Sequence, residues 1–393
     1  MTRRIFEEEH EMFRDTVRSF MKNEVGPNTD RWHEQGIVDR EAFLRAGETG
    51  LLLMWADERY GGAGVSDFRY EQILIEENAW HGDAGFFMTL HNRLVGPYIG
   101  ELGSDEQKQR WLPKCISGEH ILAVAMSEPG AGSDVAGIRT RAEDKGDHYL
   151  LNGSKTYISN GINADLVVVA AKTDPDRSHG LSLFVVERGM EGFERGRNLK
   201  KMGLKSQDTA ELFFNNVKVP KENLLGEYHR GFYHLMHFLA EERLLGAVQY
   251  LAAADAAFAV TMDYVSDRKV FGQRVADFQN TRFKLADMRT KIDVAQAFVD
   301  QCVLDHNVGE LSADTAAKAK LFASELEGEV MDECVQLHGG AGYMDEYPIC
   351  RMYLNARVSR IYAGSSEIMR EIIARSLGLD PRSKQKSEAA DAA

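Results

Sequence analysis

The strongest constraint on this chain's fold is a long stretch without proline. From Phe232 up to Pro348 none interrupts the sequence, and apolar residues recur at helical spacing through Val265, then over Phe283 to Val303, then over Ala316 to Leu337. Proline breaks helix interiors and a 3.6-residue period lays one apolar stripe along a helix, so this stretch predicts a bundle of long helices. Between Ile121 and Gly226 the texture differs: the short apolar or alternating runs Ile121 to Met126, Tyr149 to Leu151, Thr156 to Ser159, Leu166 to Ala171, Leu181 to Val186 and Leu212 to Phe214 are separated by turn residues. Runs at this spacing predict strands of a small sandwich or barrel, and Asn152-Gly153 reads as the turn of a hairpin. Before about Gly118 the pattern is helical, opening with the stripe Phe6, Phe13, Val17 and Phe20 and broken at Gly61-Gly62-Ala63-Gly64 and Gly96-Pro97. The expected class is α+β, mainly α: an all-α domain over 1–120, a β domain over 121–230, a helical bundle over 231–380, and a disordered tail over 381–393.

Composition narrows the function classes. The 393 residues are 44% hydrophobic and 27% charged, which suits a folded chain of more than one domain. With 47 Lys+Arg against 61 Asp+Glu the net charge is -14, which argues against nucleic acid or anionic lipid as partners. The four cysteines Cys115, Cys302, Cys334 and Cys350 form no C-x-x-C pair or regular framework, so a reduced compartment is expected. The longest apolar run, from Leu244, is broken at Asp255, so no membrane span is expected. Thr2-Arg3-Arg4 leads at once into Ile5-Phe6-Glu7-Glu8-Glu9, unlike a secretory or mitochondrial leader, and the cytoplasm is the expected location.

Most catalytic signatures are absent: the sequence has no P-loop, H-E-x-x-H or G-x-S-x-G. Gly130-Ala131-Gly132 starts like a dinucleotide fingerprint, but Val135 replaces its third glycine. Cys334 and His338 stand at i,i+4 without a third ligand, which reads as a buried thiol and a capping histidine, so no metal is assigned. Three segments carry more. Ala125 to Asp134 runs from a strand into a glycine-rich loop flanked by Ser127 and Ser133; Lys155 to Gly161 places Tyr157 and Ser159 on one strand face; Gln336-Leu337-His338-Gly339-Gly340 ends a helix in glycines. Singly, each also reads as a surface turn, a core aromatic or a helix cap.

Together with Arg268-Lys269-Val270-Phe271-Gly272 and Ile361-Tyr362-Ala363-Gly364-Ser365-Ser366-Glu367-Ile368, and in this order, they resemble the acyl-CoA dehydrogenase family, most nearly its long-chain branch, from Ile5 to about Leu377. The resemblance implies FAD between the β domain and the last helices, an acyl-CoA substrate oxidised at Cα–Cβ, an electron-transferring flavoprotein as acceptor, and a homo-oligomer, typically a tetramer. It implies FAD or substrate contacts for Ser127, Ser133, Tyr157 and Ser159, contacts to a neighbouring subunit's FAD for Arg268, Phe271, Gln279, Gln336 and Gly340, and contacts to the chain's own FAD for Ser365 and Glu367. Arg243, Tyr362, Ala363 and Gly364 are implied to line the substrate site. Ala363 stands where many members carry the catalytic base, so the implied base is Glu242, which precedes Arg243 as in the long-chain and isovaleryl branches. Glu241, about 100° away on a helix, should point elsewhere. Asp83 to His91, with the aromatic pair Phe86-Phe87, is implied to line the far end of the acyl pocket. Short branched-chain or terpenoid substrates, an acyl-CoA oxidase and a non-catalytic acyl-CoA or flavin binder are the alternatives.

Overall fold

The computed structural model describes residues 3–379; the tail expected to be disordered lies outside them. Six helices come first: α1 (Glu8–Phe20), α2 (Thr29–Gln35), α3 (Arg40–Glu48), α4 (Phe68–His81), α5 (Gly96–Leu102) and α6 (Asp105–Ile116). Helix α1 buries Val17 and Phe20, with Phe13 and the preceding Phe6 half-buried on the same core. A π-helical turn, Leu90–Val95, precedes α5. Such turns concentrate at functional sites, and this one borders the cavity described below.

The middle of the chain is one eight-stranded mixed sheet. Its strands are β1 (Leu122–Ala125), β2 (Arg141–Asp144), β3 (His148–Ser159), β4 (Leu166–Lys172), β5 (Leu181–Glu187), β6 (Phe193–Asn198), β7 (Thr209–Pro220) and β8 (Leu224–Leu225), ordered β6-β7-β3-β2-β4-β5-β8 with β1 parallel to β4. Strand β4 is buried on both faces. Leu166, Val168 and Ala170 pack toward the N-terminal helices, whereas Val167, Val169 and Ala171 meet Leu151, Leu212, Phe214 and Val217 of β3 and β7, so the sheet curls over itself as a barrel does.

The Asn152-Gly153 turn is not there. Both residues lie inside β3 at a bulge in its pairing with β7. The hairpin turn falls earlier, where Lys145 N donates to the His148 carbonyl (2.9 Å) around Gly146 at φ 93°. Gly153 is a glycine for a long-range reason: at φ 145° its missing Cβ would stand 2.5 Å from Thr140 Oγ1 and 2.7 Å from Thr140 Cα. Bulged strands use glycine where another backbone passes close.

The C-terminal region holds α7 (Gly231–Asp267), a short hairpin β9 (Lys269–Val270) and β10 (Gln273–Arg274), then α8 (Gln279–Asn307), α9 (Ala313–His338), α10 (Pro348–Ala356) and α11 (Ser366–Ser376). Leu244, Ala247, Leu251 and Ala254 of α7 share a core with Ala319, Ala323, Leu326 and Val330 of α9. The expectation from Asp255 needs correcting in one respect. By length and composition α7 is apolar enough to cross a membrane, with hydropathy 1.4 over its best window, but 72% of that window is buried inside the protein, as in a core helix. His338 Nδ1 donates to the Cys334 carbonyl (2.8 Å), and the His338 ring stacks on Tyr264.

Gly153→Val should lower stability by about 1–3 kcal/mol, the usual penalty for forcing a side chain into glycine-only backbone. A thermal melt checks this; an unchanged midpoint contradicts the close approach of Thr140.

Candidate active site

A buried ion pair builds the sheet side of the site. Lys155, whose side chain is wholly buried, donates from Nζ to Glu128 Oε1 (2.8 Å) and to the Met126 carbonyl (3.0 Å). Glu128 also accepts from the backbone N–H groups of Arg139 (2.7 Å) and Thr140 (2.9 Å), and Thr156 N donates to the Ser127 carbonyl (3.0 Å). The loop from Met126 to Thr140 is thereby stitched to β3. Burial lowers the Lys155 ammonium to about 8 against the pull of Glu128. Two residues on, β3 has a second irregularity and Tyr157 takes a left-handed φ of 59°, which sends its ring out, 73% exposed. Non-glycine residues hold such backbone only where surroundings enforce it.

The helical side comes from α7 and the segment after α10. Glu242, Leu245, Gly246, Gln249 and Tyr250 of α7 line a cavity of about 160 Å³ together with Ser127, Tyr157, Ser159, Phe87, Leu90, Leu94, Tyr362 and Ala363. Ala363 also has a left-handed φ, of 53°. The turn carrying it is tied down by Lys320 of α9, a wholly buried lysine whose Nζ donates to the carbonyls of Ser359 (2.8 Å) and Gly364 (2.7 Å). Burial drives the Glu242 carboxyl up to about 7, while Arg243 and Lys320 pull it down. Glu241 faces away, toward Arg93 (3.6 Å) and His306 (3.4 Å).

Seven of the residues singled out in the sequence therefore meet in one cavity: Phe87, Ser127, Tyr157, Ser159, Glu242, Tyr362 and Ala363. The others do not line it. Ser133 is exposed on the loop, Arg243 is buried beside Glu242 with its Nε unpartnered, and Gly364 points its carbonyl to Lys320. Ser365 caps α11, accepting from Ile368 N (3.4 Å), and Glu367 is exposed in its first turn. Arg268, Phe271, Gln279, Gln336 and Gly340 are all exposed, Phe271 to 97%. The aromatic pair divides: Phe87 lines the cavity beside Tyr362, but Phe86 is core, buried between Trp32 and Phe43. The structural parts of Lys155, Glu128 and Lys320 do not follow from the sequence motifs. Their only signal is a charge in an apolar register, Lys320 lying between Ala316, Ala319 and Ala323.

The rim fits a flat, phosphate-bearing cofactor. Tyr157 offers an exposed ring beside the cavity, and in the loop that follows Ser127 a Cβ at Gly130 or Gly132 would meet nothing within 4 Å, leaving that backbone open; the same holds, away from this cavity's lining, for Gly339 and Gly340 after α9.

The fold is shared with oxidoreductases that act on a CH–CH bond. Residues 7–119, 123–217 and 229–378 match the N-terminal, middle and C-terminal domains of acyl-CoA dehydrogenase, and the chain belongs to that family. It is 47% identical over 381 residues to the mitochondrial long-chain specific acyl-CoA dehydrogenase of Mus musculus (96% of this chain, 88% of that protein). It is 36% identical to a subunit of the caffeyl-CoA reductase–Etf complex of Acetobacterium woodii (94% and 98% covered). Among solved structures, an acyl-CoA dehydrogenase from Geobacillus kaustophilus superposes with a TM-score of 0.94 at 49% identity (96% and 100% covered). A glutaryl-CoA dehydrogenase from Mycobacterium smegmatis in complex with FADH2 does so at 0.89 and 30% (95% and 95% covered).

Lys155→Met should destabilise the protein by about 3–5 kcal/mol, because Glu128 is left as an unpaired buried charge. The double variant Lys155→Met/Glu128→Gln should recover much of that loss in denaturant unfolding. Equal stability of the single and double variants contradicts the pairing.

Proposed function

We propose that this protein dehydrogenates medium- and long-chain acyl-CoA thioesters to trans-2-enoyl-CoA, with Glu242 as the catalytic base. The observation that carries this is the convergence of Glu242, Ala363 and Tyr157 on one cavity in which the side chain of Ala363 cannot take a proton. The Glu242 carboxylate takes the α-proton, the C–H electrons form the Cα–Cβ double bond, and the β-hydrogen departs with its electron pair. Ser127, Tyr157, Ser159 and the 130–133 loop would hold FAD, which would supply the hydride acceptor. The Ala363 N–H meets the charge that develops on the thioester oxygen, and the Lys320 tether keeps that donor in place beforehand. Electrons then pass to an electron-transferring flavoprotein.

Acyl length finds support in α7. Glu242, Leu245, Gly246, Gln249, Ala253, Ala256 and Val260 recur at helical spacing and line first this cavity and then a second of about 360 Å³. The face spans about 27 Å of helix at 1.5 Å per residue. A homotetramer, with Arg268, Phe271, Gln279, Gln336 and Gly340 reaching a neighbour's FAD, is supported by the exposed apolar side chains Phe283 and Val294 on α8 and Phe322 on α9.

Glu242→Gln should keep bound FAD and lose roughly 10²-fold or more in kcat, the usual worth of a positioned base. Because only the carboxylate accepts a proton, wild-type kcat/KM should rise with pH and level off above about 7. Near-normal turnover in the variant, or a flat acid limb, contradicts the assignment. Along a series of straight acyl-CoAs, kcat/KM should climb from four carbons to medium or long chains, each buried methylene adding about 0.8 kcal/mol. A maximum at four or five carbons would return the branched short-chain reading, with Phe87 as the residue closing the pocket.

A further inference from the structure

Beyond the reacting cavity lies the second one, and the two share Thr89, Gln249, Tyr250 and Tyr362 as walls. Its inner wall contains a carboxyl group that plays no part in the chemistry proposed above. Glu327 of α9 is 4% exposed, lines the cavity, and has no hydrogen-bond partner at Oε2. The group that hydrogen-bonds the carboxyl is Ser359, whose own hydroxyl hydrogen is committed to the Ala356 carbonyl (2.7 Å), while Arg360, Lys320, Tyr250 and Tyr362 stand near enough to act on it electrostatically. Burial raises the Glu327 carboxyl to about 8, with Ser359, Arg360 and Lys320 acting against the rise, which favours the neutral form. A neutral carboxyl beside a committed serine gives its hydrogen to Ser359 Oγ. Oε2 is then a bare carbonyl-type acceptor.

An all-methylene chain seated here would leave that acceptor unpaired. The walls are otherwise mixed: Ala253, Ala256 and Val260 suit methylenes, while Asn78 and Asn355 add polar groups beside Glu327. A buried acceptor without a donor carries its full desolvation penalty, whereas one matched donor removes it. We propose that this cavity seats the distal part of acyl chains that carry a hydroxyl group, and that Glu327 Oε2 accepts the hydrogen bond that recognises it. The proposal rests on the acyl-CoA dehydrogenase reading above and names a substrate class within it.

The test compares kcat/KM for unsubstituted acyl-CoAs with chains of the same length bearing one hydroxyl at successive positions beyond the β-carbon. In the wild-type holoenzyme the ratio of hydroxylated to unsubstituted substrate should peak at one position. In Glu327→Leu that peak should fall by roughly 5- to 100-fold, the range for losing one buried hydrogen bond, while the unsubstituted chain is handled as well or better. Glu327→Gln keeps a carbonyl acceptor and should keep the peak. A flat wild-type profile overturns the proposal whether or not the leucine variant folds, as does a peak of equal height in Glu327→Leu; either means that Glu327 Oε2 recognises no substrate hydroxyl. Failure of unsubstituted acyl-CoA to bleach the bound flavin anaerobically would count instead against the dehydrogenase reading.

Discussion

One buried ammonium fixes the part of the site on which the rest depends. Lys320 sits on the apolar face of α9, wholly enclosed, and its charge is shared between two backbone carbonyls, Ser359 and Gly364. Burying a lysine is costly, and burial lowers its pKa to about 8, yet the hydrogen bonds it makes close the turn that holds Ala363 at φ 53°. Its electrostatic influence reaches Glu242 as well and opposes the desolvation that raises that carboxyl. Lys155 plays the matching part on the sheet side, where its pair with Glu128 fixes the loop bearing Ser127 and the irregular stretch bearing Tyr157. The cavity is thus set between two rigid walls, each organised by a lysine that never lines it.

The long helices α7, α8 and α9 were legible in the sequence because a 3.6-residue period sustained over many turns suits a helix and no other element. The sheet was legible where strands are buried on both faces, as β4 and β5 are. It was not legible at β2 (Arg141–Asp144) or β6 (Phe193–Asn198), which carry charged residues on their exposed positions. Asn152-Gly153 misled because local turn chemistry and long-range crowding select the same residue: the glycine answers to Thr140, and the Asn152 side chain accepts from Asn216 N (2.9 Å) across to β7. Of the site, the residue types in each segment were visible, but their convergence followed only from the family resemblance. Nothing local distinguishes Phe86 in the core from Phe87 in the cavity, or a buried lysine from a solvated one.

In the proposed reading, substrate selection falls to one helix face. From Glu242 to Val260, α7 presents a carboxylate, then small and apolar residues, then the mixed walls of the second cavity. Gly246 keeps the face narrow, since a Cβ there would stand 2.8 Å from the Tyr250 hydroxyl. Tyr250 and Tyr362 stand between the two cavities with ring centroids 6.0 Å apart, so the same pair borders the reacting atoms and the path to the distal chain. Chemistry and chain recognition share a wall, and a change at either tyrosine would be felt in both.

The central claim is that the proton leaves to Glu242 and to no other group. Deuterium incorporation from D2O into the α-position of an acyl-CoA analogue that cannot lose its β-hydrogen isolates that step from electron transfer. The account predicts exchange by the wild-type holoenzyme with an acid limb near pH 7, where the Glu242 carboxyl titrates, and loss of exchange in Glu242→Gln despite retained analogue binding. Exchange at the wild-type rate in Glu242→Gln would contradict it.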